Sequence, residues 1–360
     1  MKTPSARIET LDWLRGLAAL SIVIYHLNGW LFSWPDAASF WGRLGIYGVS
    51  IFFILSGLSM AIVYSKYIDS LKKSIYFFVR RIFRIWPLMW VFTALVVLPG
   101  ILHGGRIGWF GILANITTIF GFIKPDGGID TIVWSIGNEM VFYALTPLII
   151  IAFNKKMLFG NMIVGATFVM TCLFAFFFLT SAMPLTNIQW NVYILPLNNL
   201  FLYVAGIAMY YYLKDIRVNQ TANSILFFAS LGCMIFYPAS GDLINIVTGI
   251  NRLFFVVSSI LLVTSFYKFE LHDTIPRFVK NGLEQLGVAT YGVYLLHPMV
   301  WVYIVPGLRY IGLTNSYVLF GMVVMLTIIL ALLSYNLFEK RLISVGKKLT
   351  SSRKVDTVAL

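Results

Sequence analysis

Ten runs of mostly apolar residues, each roughly 20 residues long, follow one another along this chain of 360 residues. They occupy residues 12–33, 44–64, 82–104, 131–153, 158–180, 193–213, 222–239, 246–267, 283–305 and 317–338. A run of this length crosses the hydrocarbon core as an α-helix, in which every backbone polar group bonds within its own segment. Hydrophobic residues make up 59% of the chain and charged residues only 11%, an excess that a soluble fold could not bury. The sequence therefore predicts an all-α, polytopic integral membrane bundle with about ten transmembrane helices.

The segments between these runs offer little for a second domain. Residues 109–123 are apolar but short, so we expect a re-entrant or interfacial piece there rather than an eleventh span. The first run has no small-residue cleavage site after it, so we expect it to remain in the mature protein. Cys172 and Cys233 lie inside apolar runs without metal-site spacing, and no metal is expected. We predict a transmembrane domain over residues 1–345 and a basic cytoplasmic tail over residues 346–360.

Lysine and arginine are distributed unevenly between the loops once the spans alternate sides. Twenty of the 27 fall on the side of the N-terminus, five fall on the opposite side, and Arg15 and Arg84 fall inside spans. The positive-inside rule assigns the richer side to the cytoplasm, which places both termini there. The same distribution accounts for the net charge of +13 without a nucleic-acid partner, and none is expected.

Three titratable side chains inside the spans are predicted to lie at one depth. Ionisable groups in spanning helices cost free energy, so each is a candidate functional residue. His26 follows the start of the first run by 14 residues, His297 follows the start of the ninth by 14, and Glu139 precedes the end of the fourth by 14. At a rise of about 1.5 Å per residue, each lies roughly 21 Å from the cytoplasmic end of its helix. The spacing predicts that they converge in the outer half of the membrane.

A cluster of arginines is predicted at the cytoplasmic ends of the first and third spans. It consists of Arg15, Arg80, Arg81 and Arg84. Arg81 and Arg84 share a helical face because they are three residues apart, and guanidinium groups suit bidentate binding of phosphate. We expect a phosphorylated donor from the cytoplasm to bind there with its reactive end directed toward His26. Asp12 is expected to pair with Arg15, three residues further on.

Several short motifs occur in an order that is specific as a set, although each is weak alone. They are Leu11-Asp12-Trp13-Leu14-Arg15-Gly16 with His26 eleven residues after the arginine, Phe52-Phe53-Ile54-Leu55-Ser56-Gly57, Arg80-Arg81-Ile82-Phe83-Arg84, Trp134-Ser135 with Glu139 and Phe142-Tyr143, Tyr291 to His297, and Phe338-Glu339-Lys340. The set resembles the acyltransferase-3 family of membrane acyltransferases, which includes bacterial enzymes that O-acetylate lipopolysaccharide O-antigen and exopolysaccharide. Met89, Asn138 and Arg341 depart from the family pattern and leave the acyl group and the acceptor open.

The resemblance implies a membrane-bound O-acyltransferase in the bacterial inner membrane. It would move an acyl group, expected to be acetyl, from cytoplasmic acyl-coenzyme A to a hydroxyl of a cell-surface polysaccharide or its lipid-linked precursor. In the family that the chain resembles, the Arg-x-x-Arg segment is associated with acyl-coenzyme A. His26 is expected to be the general base, with an acyl-carrying nucleophile as the open alternative, because histidine exchanges protons near neutral pH. Glu139 and His297 are the candidates for orienting the imidazole or binding the acceptor.

Other interpretations of the same residues stay open. Polar groups at mid-depth also mark transport pathways, so a transporter or flippase for a lipid-linked sugar is the alternative function. The arginines could be ordinary cytoplasmic anchors, and Ser56-Gly57 is more typical of close helix packing than of a catalytic serine. Trp30, Trp34 and Trp190 are expected to be interfacial anchors. The sequence leaves the oligomeric state open.

Overall fold

The computed structural model describes residues 8–102, 108–270 and 275–351, and these ranges contain helices and loops but no strand. The α-helices are α1 Glu9–Leu31, α2 Phe40–Tyr64, α3 Leu71–Leu102, α4 Trp109–Ile116, α5 Phe120–Ile123, α6 Trp134–Lys155, α7 Met157–Leu173, α8 Asn187–Tyr193, α9 Pro196–Leu213, α10 Gln220–Phe236, α11 Ile244–Val247, α12 Gly249–Lys268, α13 Arg277–Val288, α14 Thr290–Tyr310, α15 Ser316–Ser334 and α16 Lys340–Leu349. A π-helical turn at Phe174–Phe178 extends α7, and another at Tyr335–Glu339 joins α15 to α16. The all-α class is confirmed.

The predicted polytopic architecture is confirmed by helix length and hydropathy. Among the described residues, eight helical segments are long and apolar enough to cross a membrane. The other two predicted spans are helices as well: α1 has 23 residues and α10 has 17. Polar residues lower the mean hydropathy of α1, and α10 is short. These two helices are therefore not among the eight candidate spans. Residues 109–123 form the short helices α4 and α5 rather than an eleventh span.

Two helix boundaries differ from the sequence prediction, and both shift the candidate residues. The third run was predicted to start at residue 82, whereas α3 begins at Leu71 and has 32 residues, about 48 Å at 1.5 Å per residue. Arg80, Arg81 and Arg84 therefore lie in its third and fourth turns rather than at its start. The ninth run was predicted as one helix from residue 283, but the chain forms α13 and then a separate α14. His297 is thus only seven residues beyond the start of its helix.

Helices α2 and α9 form the centre of the bundle. In the most apolar stretch of each of these spans 72% of residues are buried, against 22% in the spans that contain α7 and α15. Two glycines let α2 and α9 approach closely: a Cβ at Gly57 would lie 1.9 Å from the Tyr203 carbonyl oxygen, and one at Gly206 would lie 2.0 Å from the Ile54 carbonyl oxygen. Gly57 is therefore a helix-crossing residue, as its motif suggested.

The loops fall into two groups, one at each end of the bundle. At one end the loops after α1, α7 and α10 meet: Ala37 donates its amide to the Gly241 carbonyl, and the Leu185 amide donates to Asp242 Oδ1. At the other end Asn154 donates to the Ser65 carbonyl, Gln220 to that of Lys268, and Arg80 to Thr350. We call the second group the basic end. This grouping matches the alternation of sides assumed for the loops.

The segment predicted as a basic tail, residues 346–360, is described only as far as Ser351. Helix α16 continues through residue 349 and packs against α3, where a Cβ at Gly346 would lie 2.7 Å from Phe83 Cβ. Thr350 accepts a hydrogen bond from Arg80 Nε at 2.7 Å. The part of this segment next to the transmembrane domain is therefore packed against it, and residues 352–360 lie outside the described residues.

Candidate active site

A cavity of about 430 Å³ opens among α1, α2, α3, α6, α14 and α16, within the usual range for small-molecule sites. Seven charged side chains line it: Asp12, Arg15, Arg80, Arg81, Arg84, Glu139 and Lys347. All four arginines that the sequence grouped as a phosphate-binding cluster therefore reach one cavity. Lys347 is a fifth cation, which the sequence analysis did not single out because it falls in the predicted tail.

Three of the arginines are held by partners at the basic end. Arg15 Nη1 bonds Asp12 Oδ1 at 2.6 Å, which confirms the expected pair, and its other nitrogen donates to Ser59. Arg84 Nη1 lies 3.7 Å from the buried Glu339 carboxylate, which the π-helical turn after α15 places beside it. Arg80 donates to Thr350. These contacts fix the guanidinium groups at the cavity wall.

Arg81 is held differently, because aromatic rings rather than carboxylates surround it. Its guanidinium lies 5.6 Å from the ring centre of Tyr64 and 5.8 Å from that of Tyr143, and it donates to the Tyr64 hydroxyl at 3.2 Å. Within the described residues Arg81 forms no ion pair, and its buried Nε atom has no hydrogen-bond partner. Its charge is thus left uncompensated beside the cavity, which favours an anionic ligand.

Glu139 lies on the same cavity but with hydroxyl partners. Ser56 Oγ donates to its carboxylate at 2.8 Å, and the Tyr143 hydroxyl donates to the same oxygen. Tyr143 also contacts Arg81, so the carboxylate and the guanidinium share one tyrosine. In the part of the chain that the structure describes, Glu139 forms no hydrogen bond with either candidate histidine. No direct contact among the described residues therefore supports the expected role of Glu139 in orienting the His26 imidazole.

His26 and His297 are brought into direct contact, although they are 271 positions apart in sequence. Nε2 of His297 lies 3.1 Å from Nδ1 of His26, and the two rings are nearly parallel, at 19°. Nδ1 of His297 lies 2.7 Å from the Tyr294 carbonyl oxygen. His297 is fully buried, whereas His26 is half-buried. The expectation that His297 could orient the His26 imidazole thus has a geometric basis.

Pro298 explains why the Tyr294 carbonyl is free to accept from an imidazole. In a continuous α-helix that carbonyl would accept from the amide of residue 298, but proline has no amide hydrogen. A carbonyl oxygen only accepts, so Nδ1 of His297 carries the hydrogen in this contact. With both imidazoles neutral, Nε2 of His297 is then an acceptor, and Nδ1–H of His26 is the donor to it. Nε2 of His26 is consequently the unprotonated nitrogen, the form that a general base requires.

The cavity ends about one helical turn short of this histidine pair. Val49 of α2 lines the cavity, and the neighbouring Gly48 packs against Ile22, which precedes His26 by one turn of α1. Tyr294 also lines the cavity and precedes His297 by three residues. Its hydroxyl donates to the Ile132 carbonyl at 2.6 Å and lies 2.8 Å from Ser135 Oγ. Tyr294 therefore adjoins both the cationic cavity and His297, whose ring centre lies 6.2 Å from its own.

Sequence reasoning included Ser56, Tyr143 and Tyr294 in motifs but gave their hydroxyl groups no role in the site, and it did not single out Tyr64. Tyr64, Tyr143 and Ser56 hold Arg81 and Glu139, and Tyr294 adjoins His297. A sequence signal existed for two of them. Tyr143 follows Glu139 by four residues and Tyr294 precedes His297 by three, and residues so spaced lie on one face of a helix. Tyr64 lies on another helix, and nothing in the spacing links it to Arg81.

Comparison with known proteins decides the family. The model of a family described as an acyltransferase domain matches residues 8–334. The chain belongs to this acyltransferase-3 family. The resemblance inferred from the motifs is thereby confirmed, and so is the expectation of an acyltransferase in a multi-pass membrane protein. No solved structure matches the chain.

Three curated relatives of this acyltransferase-3 chain were found. Peptidoglycan O-acetyltransferase OatA of Listeria monocytogenes is 29% identical over 168 residues, which cover 41% of this chain and 25% of the relative. A putative peptidoglycan O-acetyltransferase, YrhL of Bacillus subtilis, is 30% identical over 162 residues, 40% of this chain and 24% of the relative. A putative membrane-bound transacylase, BcsY of Komagataeibacter xylinus, is 25% identical over 370 aligned positions, 94% of this chain and 83% of the relative. The chain matches only about a quarter of the length of the first two.

Proposed function

We propose that this acyltransferase transfers an acyl group, acetyl in the first instance, from cytoplasmic acyl-coenzyme A to a hydroxyl of a cell-surface polysaccharide or its lipid-linked precursor. The observation that carries the proposal is the cavity lined by five cations, which ends one helical turn from an imidazole whose free nitrogen can accept a proton. Coenzyme A supplies the phosphates for the cations. Its long arm can place the thioester toward Tyr294.

In the proposed reaction His26 acts as the general base. Its Nε2 takes the proton of the acceptor hydroxyl as that oxygen attacks the thioester carbonyl carbon. The carbon–sulfur bond then breaks, and the protonated imidazole returns the proton to the leaving thiolate, so that an ester and free coenzyme A are formed. His297 accepts the Nδ1–H bond of His26 throughout, which keeps the lone pair on Nε2. The acyl-histidine route stays the alternative.

The proposed orientation follows from charge and from the grouping of loops. The basic end would face the cytoplasm, with both termini there, and the protein would reside in a bacterial inner membrane. The donor would then enter at the basic end, while the acceptor would reach His26 from the opposite end. The names of the two peptidoglycan O-acetyltransferases support an acceptor outside the cytoplasm. They do not identify it for this chain.

The test of the function is transfer of label by the purified protein. The protein is reconstituted in liposomes with radiolabelled acetyl-coenzyme A and with surface glycan isolated from a strain that lacks the gene. The proposal expects label to become covalently attached to the glycan. A flippase would move a lipid-linked sugar without labelling it, and an unlabelled glycan would contradict the proposal.

A further inference from the structure

Three aromatic side chains contact His26, and a fourth, Trp301, packs against one of them. The ring centres of Tyr25, Trp30 and Trp34 lie 5.2, 5.5 and 6.3 Å from that of the imidazole. Trp30 is nearly parallel to His26, at 17°, and its ring centre is 5.1 Å from that of Trp301. None of these four residues lines the cavity described above. We call them the aromatic cluster.

The aromatic cluster is packed against α1. A Cβ at Gly29 would lie 2.4 Å from the Trp34 ring, so the glycine makes room for the indole against α1. Trp34 also contacts Tyr25, with ring centres 5.5 Å apart, yet 55% of Trp34 remains exposed. An interfacial anchor needs contact with headgroups only. The contacts with His26 and with α1 are more than anchoring requires.

The aromatic cluster contains hydrogen-bond donors as well as rings. Within the described residues, the indole N–H groups of Trp30, Trp34 and Trp301 donate no hydrogen bond. By contrast, Trp86 donates to Thr118 at 3.2 Å and Trp90 donates to the Ile116 carbonyl at 2.8 Å. Tryptophan is favoured at binding sites because it offers a flat apolar face and a donor at the same time. Trp30 stacks on both imidazoles and on Trp301, and the Arg309 guanidinium lies over the Trp301 ring. The exposed Trp34 is therefore the ring that offers an open face beside His26, together with the unpaired indole donors.

The position of His26 determines what must touch these rings. Its Nδ1 is bonded to His297, so an acceptor hydroxyl has to approach Nε2, which forms no hydrogen bond with the described residues. A hydroxyl within roughly 3 Å of that nitrogen belongs to a molecule that must pack against rings centred 5 to 6 Å from the imidazole. A sugar ring has an apolar C–H face and hydroxyls at its edge, which match an indole face and its N–H.

We propose that Trp30, Trp34, Trp301 and Tyr25 form the acceptor subsite, in which a sugar ring of the acceptor stacks on an indole face while its hydroxyl reaches His26. The inference rests on the proposed function and adds the place and the chemistry of acceptor binding. It assigns the acceptor to the aromatic cluster and the phosphates of the donor to the cationic cavity. Changes in the aromatic cluster should therefore affect the acceptor and leave the donor unaffected.

The test separates the Michaelis constants of the two substrates. Trp34 is the residue to change, because its exposed ring can be truncated without opening the core. Transfer from radiolabelled acetyl-coenzyme A to glycan from the deletion strain is measured for the unsubstituted protein, Trp34→Ala, Trp34→Phe and the control Trp109→Ala. Trp109 is another exposed tryptophan, on α4. Trp301→Ala is a second variant, since Trp301 contacts Trp30 rather than His26.

We expect Trp34→Ala and Trp301→Ala to raise KM for the glycan about fivefold to tenfold, and Trp34→Phe less, because the ring is kept. KM for acetyl-coenzyme A should stay within about twofold in all variants, and Trp109→Ala should change neither constant. An unchanged glycan KM in both alanine variants, or an equal rise in both constants, would overturn the acceptor subsite. Absence of transfer by the unsubstituted protein would instead overturn the proposed function, and this inference with it.

Discussion

Pro298 determines the hydrogen-bonding state of the two histidines in the candidate site. Because it leaves the Tyr294 carbonyl without a helical partner, His297 can donate to that carbonyl and accept from His26. The chain of two hydrogen bonds leaves the lone pair on Nε2 of His26. The proposed role of His26 as a base thus depends on a proline that follows His297 directly and that carries no reactive group itself.

Removing the acceptor at position 297 should weaken the base without affecting the donor site. In His297→Phe the Nδ1–H of His26 loses its partner, so we expect kcat to fall about tenfold or more, with KM for acetyl-coenzyme A unchanged. His297→Gln supplies an amide oxygen that can accept the same hydrogen, so it should retain more activity. Equal activity of the unsubstituted protein and His297→Phe in steady-state assays would contradict this role.

Arg81 is the arginine whose charge is left for a ligand. We expect Arg81→Ala to raise KM for acetyl-coenzyme A about tenfold, because a charge-assisted contact with phosphate is lost. Lys72→Ala is the matched control, since Lys72 is an exposed cation earlier on the same helix and does not line the cavity. Steady-state kinetics at varied acetyl-coenzyme A concentration measure this constant. An equal change of KM in Arg81→Ala and Lys72→Ala would contradict the assignment.

The residue types of the site were predictable, but only some of their contacts were. His26, Glu139 and His297 stood out because ionisable side chains are rare in apolar runs, and the arginines stood out by their spacing. The equal depth predicted for the three residues rested partly on a start at residue 283 that the separate helix α13 shows to be wrong. The His26–His297 contact joins helices far apart in sequence, and no periodicity within either helix encodes such a contact.

At the scale of elements, the crossing of α2 and α9 carries the centre of the bundle. Gly57 and Gly206 each face a backbone carbonyl of the other helix at a distance that admits no Cβ. The neighbouring Ser56 bonds Glu139 on α6. A change in the crossing should therefore reach the candidate site as well as the stability of the fold.

Gly57→Ala should force α2 away from α9. We expect a loss of about 1–3 kcal/mol or more of folding free energy, because an added methyl would overlap backbone that cannot move alone. Gly232→Ala is the control: a Cβ there meets nothing within 4 Å, and alanine is favoured over glycine in a helix interior. Thermal unfolding of the purified proteins in detergent measures both. A midpoint for Gly57→Ala equal to that of Gly232→Ala would contradict the close crossing.

Element boundaries were predicted well where hydropathy changes sharply and poorly where it does not. The run at 44–64 matches the end of α2, since polar residues follow it directly. The start of α3 was placed eleven residues late because Lys72, Lys73 and the arginines interrupt the apolar pattern while the helix continues. Composition detects the hydrocarbon core, whereas the backbone continues as a helix beyond it.

The loops divide between two ends of the molecule, and the proposed orientation assigns the basic end to the cytoplasm. Single cysteines, introduced after Cys172 and Cys233 are replaced by alanine, test this orientation. Ser351→Cys lies at the basic end and Ser240→Cys at the opposite end, and both positions are exposed. A membrane-impermeant maleimide should label Ser351→Cys only in inverted vesicles and Ser240→Cys only in intact spheroplasts. The reverse pattern would contradict the orientation.

The proposed function divides donor binding and acyl transfer between two parts of the candidate site. The cations that line the cavity come from α1, α3 and α16, whereas the imidazoles come from α1 and α14. A variant at the imidazole should therefore keep the donor site intact. That separation distinguishes an enzyme with a catalytic histidine from a membrane protein that merely binds coenzyme A.

The most direct measurement determines acetyl-coenzyme A binding and acyl transfer on the same preparation of His26→Ala. We expect its equilibrium affinity for acetyl-coenzyme A to equal that of the unsubstituted protein, while labelled transfer to the glycan falls about 100-fold or more. Asn28→Ala is the control on the same helix, because among the described residues the Asn28 side-chain amide donates to the Ile24 carbonyl of α1 and to no other group. It should keep both binding and transfer. Transfer that persists in His26→Ala at the unsubstituted rate would contradict the account.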